Sequence, residues 1–176
     1  VHRINECDER KGTKNMNSLL KRANYVADHT VFIASWLKKL DIYCPNKDNN
    51  VILNGGDIKI FNASNASIWN KNQPIKLVTH HWGGNYLKGM DVYLKLDELL
   101  NDIKWKNFFQ FTYIGNIPKK YRFKNIRHIK PCHGNKLANE LKKNHIYLTA
   151  SINEPGGMHH IEGALCGLPV LYRNSG

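Results

Sequence analysis

Apolar positions recur along the chain at two alternating spacings, and the alternation predicts helices interleaved with strands. Leu19, Leu20, Ala23, Val26 and Ala27 fall at helical spacing, and the β-branched run over 30–34 follows as a strand. Ser35 is an N-cap candidate for a helix over 36–40. A polar loop is expected over 45–50, before Val51, Ile52 and Leu53 and the turn signal Asn54-Gly55-Gly56-Asp57, where a hinge is placed. Beyond a loose segment over 62–74, residues 75–82 read as a strand running into Gly83-Gly84-Asn85. Met90, Val92, Leu96, Leu99 and Leu100 then mark a helix. Strands over 108–114, 126–129, 146–150 and 169–172 complete the pattern, with helices marked by Leu137, Ala138 and Leu141 and by residues 161–166.

Strands and helices alternate without tight hairpins, which implies parallel strands joined by helical crossovers. The expected fold is α/β, a Rossmann-like parallel sheet with flanking helices. Such sheets bind ligands in the crevice beyond the carboxyl ends of their strands, so the loops that follow strands are the candidates for chemistry.

Two of these loops stand out. His80-His81-Trp82-Gly83-Gly84-Asn85-Tyr86-Leu87-Lys88-Gly89 leaves a strand and enters a helix. Gly83 and Gly84 lack a Cβ and let a phosphate approach the backbone, the new helix offers N–H groups, and Lys88 adds positive charge near a diphosphate. The loop has neither the Gly-Lys-Ser/Thr of a Walker loop nor Gly-x-Gly-x-x-Gly spacing. The second, running from Ser151 through Glu154-Pro155-Gly156-Gly157-Met158-His159-His160-Ile161-Glu162, also joins a strand to a helix. Gly156 and Gly157 turn the chain so that the N–H groups near Met158 and His159 face an anion. Glu154 and Glu162 flank that site, and a carboxylate is a good acceptor for paired sugar hydroxyls.

Charge narrows the choice of partner. Lys and Arg number 26 against 14 Asp and Glu, a net charge of +12, which favours phosphate-bearing ligands. The basic residues are scattered in pairs (Lys38-Lys39, Lys119-Lys120, Lys142-Lys143), and neither zinc-finger spacing nor an aromatic RNA-binding signature accompanies them. Cys7, Cys44, Cys132 and Cys166 lie far apart, which fits a reduced, cytoplasmic chain. His80-His81, His133 and His159-His160 fall near strand ends. No His-x-x-x-His or Cys pair at metal spacing is present, so no metal is expected. The sequons at Asn62 and Asn65 matter only in a secretory compartment, and the start at Val1 reads as that of a fragment without a leader.

At the second loop the sequence resembles the family-4 retaining glycosyltransferases of GT-B fold (glycosyl transferases group 1). Glu154 and Glu162 have that family's spacing of Glu, seven residues, Glu. Gly163-Ala164-Leu165-Cys166-Gly167-Leu168-Pro169-Val170 is similar to its helix-to-strand sequence, and Asn54-Gly55-Gly56-Asp57 with Phe61 resembles its hinge. Val1-His2-Arg3-Ile4-Asn5 and the stretch from Ala27 to Ser35 are similar to the closing part of the family's acceptor-side domain.

The resemblance implies that residues 1–53 are the end of an acceptor-side domain and hinge, and that residues 54–176 are a nucleotide-sugar donor-binding domain, incomplete at its C-terminus. It implies hexosyl transfer from a nucleotide diphosphate sugar with retention, without a metal, to a saccharide or lipid-linked acceptor. Glu154 and Lys88 would act in catalysis, on the donor sugar and the diphosphate. Glu162 would hold the ribose, and Gly83, Gly84, Gly156, Gly157, Met158 and His159 would line the donor. Many family members carry an Arg shortly before the loop Lys, where this chain has Trp82-Gly83-Gly84. With much of the acceptor half outside the sequence, catalysis by this chain alone is not expected. No nucleic acid is expected as partner, and the basic surface is compatible with peripheral association at the cytoplasmic membrane face. The alternatives are a nucleotide-sugar epimerase or hydrolase on the same fold, and a non-catalytic basic module that binds nucleotides or nucleic acid.

Overall fold

The computed structural model describes residues 1–175; Gly176 lies outside the described residues. The chain divides into two compact units. The first comprises Val1–Gly55, Ile152–Gly157 and the residues from Asn174, and the second comprises Gly56–Ser151 and Met158–Arg173. Among the described residues no helix is long and apolar enough to cross a membrane.

The first unit is built on a parallel sheet ordered β1-β2-β3, from β1 (His2–Ile4), β2 (His29–Phe32) and β3 (Asp48–Val51). Two helices, α1 (Asp8–Lys11) and α2 (Met16–Asn24), connect β1 to β2. The Asp8 carboxylate ties them together by accepting the N–H groups of Met16 and Asn17 at 2.9 and 3.0 Å. Ile4, Cys7, Phe32, Ile33, Leu37 and Ile42 form the core. Burial pushes the Cys7 thiol up to about 11, so it stays protonated.

Strand β3 corrects the loop expected over 45–50. An edge strand is held by backbone pairing to one neighbour, so the polar Asp48-Asn49-Asn50 can form it without an apolar face. Its start is fixed by Lys47, whose ammonium donates to the carbonyls of Asn24, Tyr25 and Ala27. The helix expected over 36–40 is a single 3-10 stretch, Ser35–Lys39.

The second unit holds five parallel strands: β4 (Ile75–His81), β5 (Phe109–Gly115), β6 (Arg127–Ile129), β7 (Ile146–Thr149) and β8 (Val170–Tyr172). Their order is β6-β5-β4-β7-β8. The chain proceeds outward from β4 to one side and then returns to lay β7 on the other. The switch point of this doubly wound sheet therefore falls between β4 and β7. The crossovers are α3 (Met90–Leu99) with α4 (Ile103–Phe108), α5 (Gly134–Leu141) and α6 (Met158–Leu165). The period-two alternation of buried strands gives each face its own core. Val78, Ile114 and Tyr147 face Leu137, Leu141 and Cys166 on one side. Phe111, Tyr113 and Leu148 face Met90, Tyr93 and Leu100 on the other.

Asp97 of α3 is a buried carboxylate whose oxygens accept the N–H groups of Lys124, Asn125 and Ile126, and it holds the approach to β6 in place. Helix α4 had no signal of its own in the sequence, because its Ile103, Trp105 and Phe108 do not repeat at core spacing. Helix α6 starts at Met158, three residues before the expected 161, so His159 and His160 are helical.

Candidate functional site

The carboxyl ends of β4 and β7 carry a connected group of imidazoles, hydroxyls and one carboxylate, all within the second unit. Glu162, in the middle of α6, takes a 2.7 Å hydrogen bond from Nε2 of His80 through Oε2. His80 Nδ1 lies 3.1 Å from the hydroxyl of Tyr147, which also receives the His80 backbone N–H at 3.1 Å. Every group is satisfied when Nε2–H donates to the carboxylate and the phenol donates to Nδ1. Tyr147 is fully buried and its pKa is raised well above the usual phenol range by desolvation, so it keeps the proton this arrangement needs.

A parallel arrangement fixes His81. Its Nε2 lies 2.8 Å from the Tyr93 hydroxyl and 3.1 Å from Thr79 Oγ1, and the same Tyr93 oxygen accepts the N–H of Ala150 at the end of β7. Burial pushes Tyr93 up to about 12. The His81 ring centroid is 4.7 Å from that of His159, and His159 Nε2 lies 2.9 Å from Thr149 Oγ1. Burial drives the His159 pKa well below its ordinary value, helped by the nearby His81, Lys88, His80 and His160. His159 is therefore a neutral imidazole, and the charge of Lys88 reaches it.

Lys88 ends a short 3-10 turn, Tyr86–Lys88, whose start is capped by Asn85 Oδ1 accepting the Leu87 N–H at 2.8 Å. Gly89 follows with φ +95°, and a Cβ there would lie 2.5 Å from that of Ala150. Only glycine lets the entry to α3 pass so close to the end of β7. Gly83 faces open space, whereas Gly84 lies against the backbone of Ile117. Met158 is exposed on the first turn of α6, where helix N–H groups have no earlier carbonyl of the helix to bond.

Glu154, Gly156 and Gly157 belong to the first unit, where the segment Ile152–Gly157 is tied to the N-terminal residues. Arg10 Nε donates to Glu154 Oε1 at 3.2 Å, with the two side chains only 10% and 13% exposed. Asn153, held at φ +51°, donates to the carbonyl of Glu9, and Asn54 donates to the Gly156 carbonyl at 2.6 Å while accepting from Arg3. A Cβ on Gly156 would lie 2.9 Å from Ile33.

The structure thus brings Lys88, His159 and Glu162 together in the second unit and sets Glu154, Gly156 and Gly157 in the first. The sequence reading missed three groups that hold these residues: Arg10, His80 as the partner of Glu162, and Tyr147. Arg10 lies in an unremarkable charged stretch and carries no pattern that links it to a residue 144 positions away. Among the described residues no group of three or more His, Cys, Asp or Glu is arranged to hold a metal ion.

The neutral state of His159 has a consequence for stability, shared by His145. Nδ1 of His145 accepts the Lys76 N–H at 3.0 Å, and burial followed by the Lys76 charge lowers its pKa. Both imidazoles have folded-state pKa values below the ordinary 6.5, so the unfolded chain binds more protons as the pH falls below about 6.5. Stability is full above that pH and is lost below it, with a slope approaching about 1.4 kcal/mol per pH unit for His159, and His145 adds in the same direction. Urea unfolding at pH 7.5 and at pH 5 should show a lower midpoint in acid; equal midpoints would contradict the assignment.

No family model matches the sequence, and no curated protein matches it. Solved structures do match. Sucrose-phosphate synthase from Thermosynechococcus elongatus superposes with a TM-score of 0.70 at 14% identity, over 99% of this chain and 50% of the other. TarM of S. aureus, in complex with fondaparinux, alpha-GlcNAc-glycerol and UDP, gives 0.68 at 14% identity, over 98% of this chain and 36% of its own. The pneumococcal O-GlcNAc transferase GtfA, in complex with UDP and GlcNAc, gives 0.65 at 16% identity, over 90% and 32%. The two parallel sheets with flanking helices match the domains of GT-B glycosyltransferases. The chain spans half or less of the length of each of these structures.

Proposed function

We propose that this chain supplies the nucleotide-sugar-binding part of a retaining hexosyltransferase. The observation that carries the reading is the setting of Glu162. It is a carboxylate fixed by the His80 imidazole at the switch point of the sheet, on a helix whose first turn lies near the cation of Lys88. Diphosphate, ribose and sugar need those three chemistries: oriented N–H groups with a cation, and carboxylates for paired hydroxyls.

In this reading the ribose hydroxyls donate to Glu162, and the diphosphate rests on the N–H groups of Met158 and His159 and on Lys88. Gly83 and Gly84 keep the approach clear of side chains. Glu154, steadied by Arg10 and set beside Gly156 and Gly157, contacts the transferred sugar. As the bond between the anomeric carbon and the diphosphate oxygen breaks, negative charge builds on the leaving group, and the lysine with the helix amides stabilises it. The new bond forms to an acceptor hydroxyl of a saccharide or a lipid-linked saccharide, whose proton passes to the departing diphosphate oxygen. No metal is required for this distribution of charge.

GtfA and TarM were both solved with UDP, so uridine diphosphate sugars head the panel to be tried. Calorimetric titration of the chain with uridine, guanosine and adenosine diphosphate sugars should give saturable binding of one nucleotide class. Glu162→Ala should weaken that binding by about tenfold to a hundredfold, the usual loss for a hydrogen bond to a charged group. A folded chain that binds no member of the panel would overturn the proposal.

A further inference from the structure

The end of the second unit away from the carboxylate and lysine carries a feature that the donor site does not use. A cleft of about 590 Å³ opens at the amino ends of β4, β5 and β6, with Phe109 and Phe111 in its wall and Lys76, Lys106, Arg127 and Lys143 around it. No carboxylate lines it. Glu140 pairs with Arg127 and Lys143 from the side, whereas Lys76 and Lys106 enter no ion pair among the described residues. Seven residues of β4 separate this end from His81, about 20 Å at the usual strand rise.

Large apolar side chains flank the cleft. Lys106 belongs to α4, all six of whose residues are exposed, including Ile103 at 69% and Phe108 at 61%. Trp105 of the same helix packs at an angle against Phe108 and Phe109, and Lys104 lies over its ring. The one acid at this helix, Asp102, is occupied as its N-cap. Ser67 also lines the cleft, and the two residues after it, Ile68 and Trp69, are exposed at 90% and 42%. Water is a poor environment for five such side chains grouped at one end of a domain.

We infer that this amino-end surface docks on an anionic membrane, with α4 and the Ile68-Trp69 segment entering the headgroup layer and the basic cleft taking lipid phosphates. Trp and Phe interleaved with Lys is the composition that settles at a lipid interface: the aromatic bodies leave water and the ammonium groups meet the anionic headgroups. A polynucleotide would answer the cations but offers nothing to Ile68, Ile103 and Phe108, so the membrane accounts for both halves of the surface. With the sheet standing on its amino end, its carboxyl end stays open to the aqueous side. The inference is independent of the donor-site reading and goes beyond it by giving the surface and its orientation.

The test is co-sedimentation of the chain with phosphatidylcholine vesicles, with and without phosphatidylglycerol. Binding should require phosphatidylglycerol. Lys104→Ser with Lys106→Ser should lower the partition coefficient by about 25-fold, at about fivefold per cation. Trp105→Ser with Phe108→Ser should lower it on the same vesicles without any change of charge. Lys119→Ser with Lys120→Ser, the same charge change beyond the carboxyl end of β5, should leave it within about twofold of the starting chain. All six substituted residues are exposed, so folding is preserved, and circular dichroism checks it. An equal loss in the Lys119 and Lys120 variant would reduce the effect to net charge and overturn the inference. So would absence of vesicle binding, whether inorganic phosphate or an oligonucleotide is bound instead.

Discussion

Replacing Lys88 by Ala is expected to slow glycosyl transfer from the nucleotide sugar by about two to three orders of magnitude, the typical loss when one preorganised charge partner of a developing anion is removed. If the proposed function holds, turnover of a labelled donor by a protein that joins this chain to an acceptor-side domain measures it. Lys88 lies where the structure allows little freedom. Its 3-10 turn is capped by Asn85 at one end and closed by Gly89 in a left-handed conformation at the other, so a shorter side chain cannot be compensated by a shift of the loop. On the proposed reading the effect should fall on kcat more than on donor binding, because the helix amides still hold the ground-state diphosphate while the charge that builds on the leaving diphosphate loses its one lysine partner. Lys88→Arg should restore part of the rate. A Lys88→Ala protein with unchanged kcat would remove the lysine from the chemistry and leave Glu154, Glu162 and the amides to be reconsidered.

Much of this arrangement was legible in the sequence, and the parts that were not share a cause. The strands β4, β5 and β7 followed from short runs rich in β-branched and aromatic residues, and their parallel pairing from the alternation with helices, because strands buried on both faces are enriched in such side chains. Glu162 and Lys88 could be singled out because Lys88 precedes a glycine in the loop after β4, and Glu162 lies on the helix entered from the glycine turn after β7. Strand β3 was hidden since an edge strand is defined by backbone pairing, which polar side chains do not advertise. Helix α4 was hidden since its apolar residues face solvent rather than a core. The partners Arg10, His80 and Tyr147 were hidden for a third reason. A contact across 82 or 144 residues, such as His80 with Glu162 or Arg10 with Glu154, is set by tertiary packing, and local pattern holds no trace of it. His80 and His81 illustrate the difference: as neighbours on one strand their side chains point to opposite faces, one toward Glu162 and Tyr147 and the other toward Tyr93.

Gly115→Ala is expected to destabilise the second unit by about 4 kcal/mol or more, among the largest effects of any single substitution in this chain. Gly115 closes β5 at φ +134°, a conformation that L side chains rarely adopt, and it pairs directly with His81 at the end of β4. A Cβ there would lie 1.9 Å from the His81 carbonyl oxygen. That oxygen cannot move aside, since it accepts the N–H of Asn116, and the Gly115 carbonyl in turn accepts from His128 at 2.8 Å. The strain must therefore separate the ends of β4 and β5, which carry His80, His81 and the start of the glycine loop. Urea unfolding should show the loss of stability, and any Gly115→Ala chain that remains folded should also bind nucleotide sugar more weakly, through displacement of the imidazole that fixes Glu162. Gly83→Ala supplies the contrast. A Cβ at Gly83 meets nothing within 4 Å, so its unfolding free energy should stay within about 0.5 kcal/mol of the starting chain. Equal stability of the two variants would mean that the strand ends are not coupled as this geometry requires.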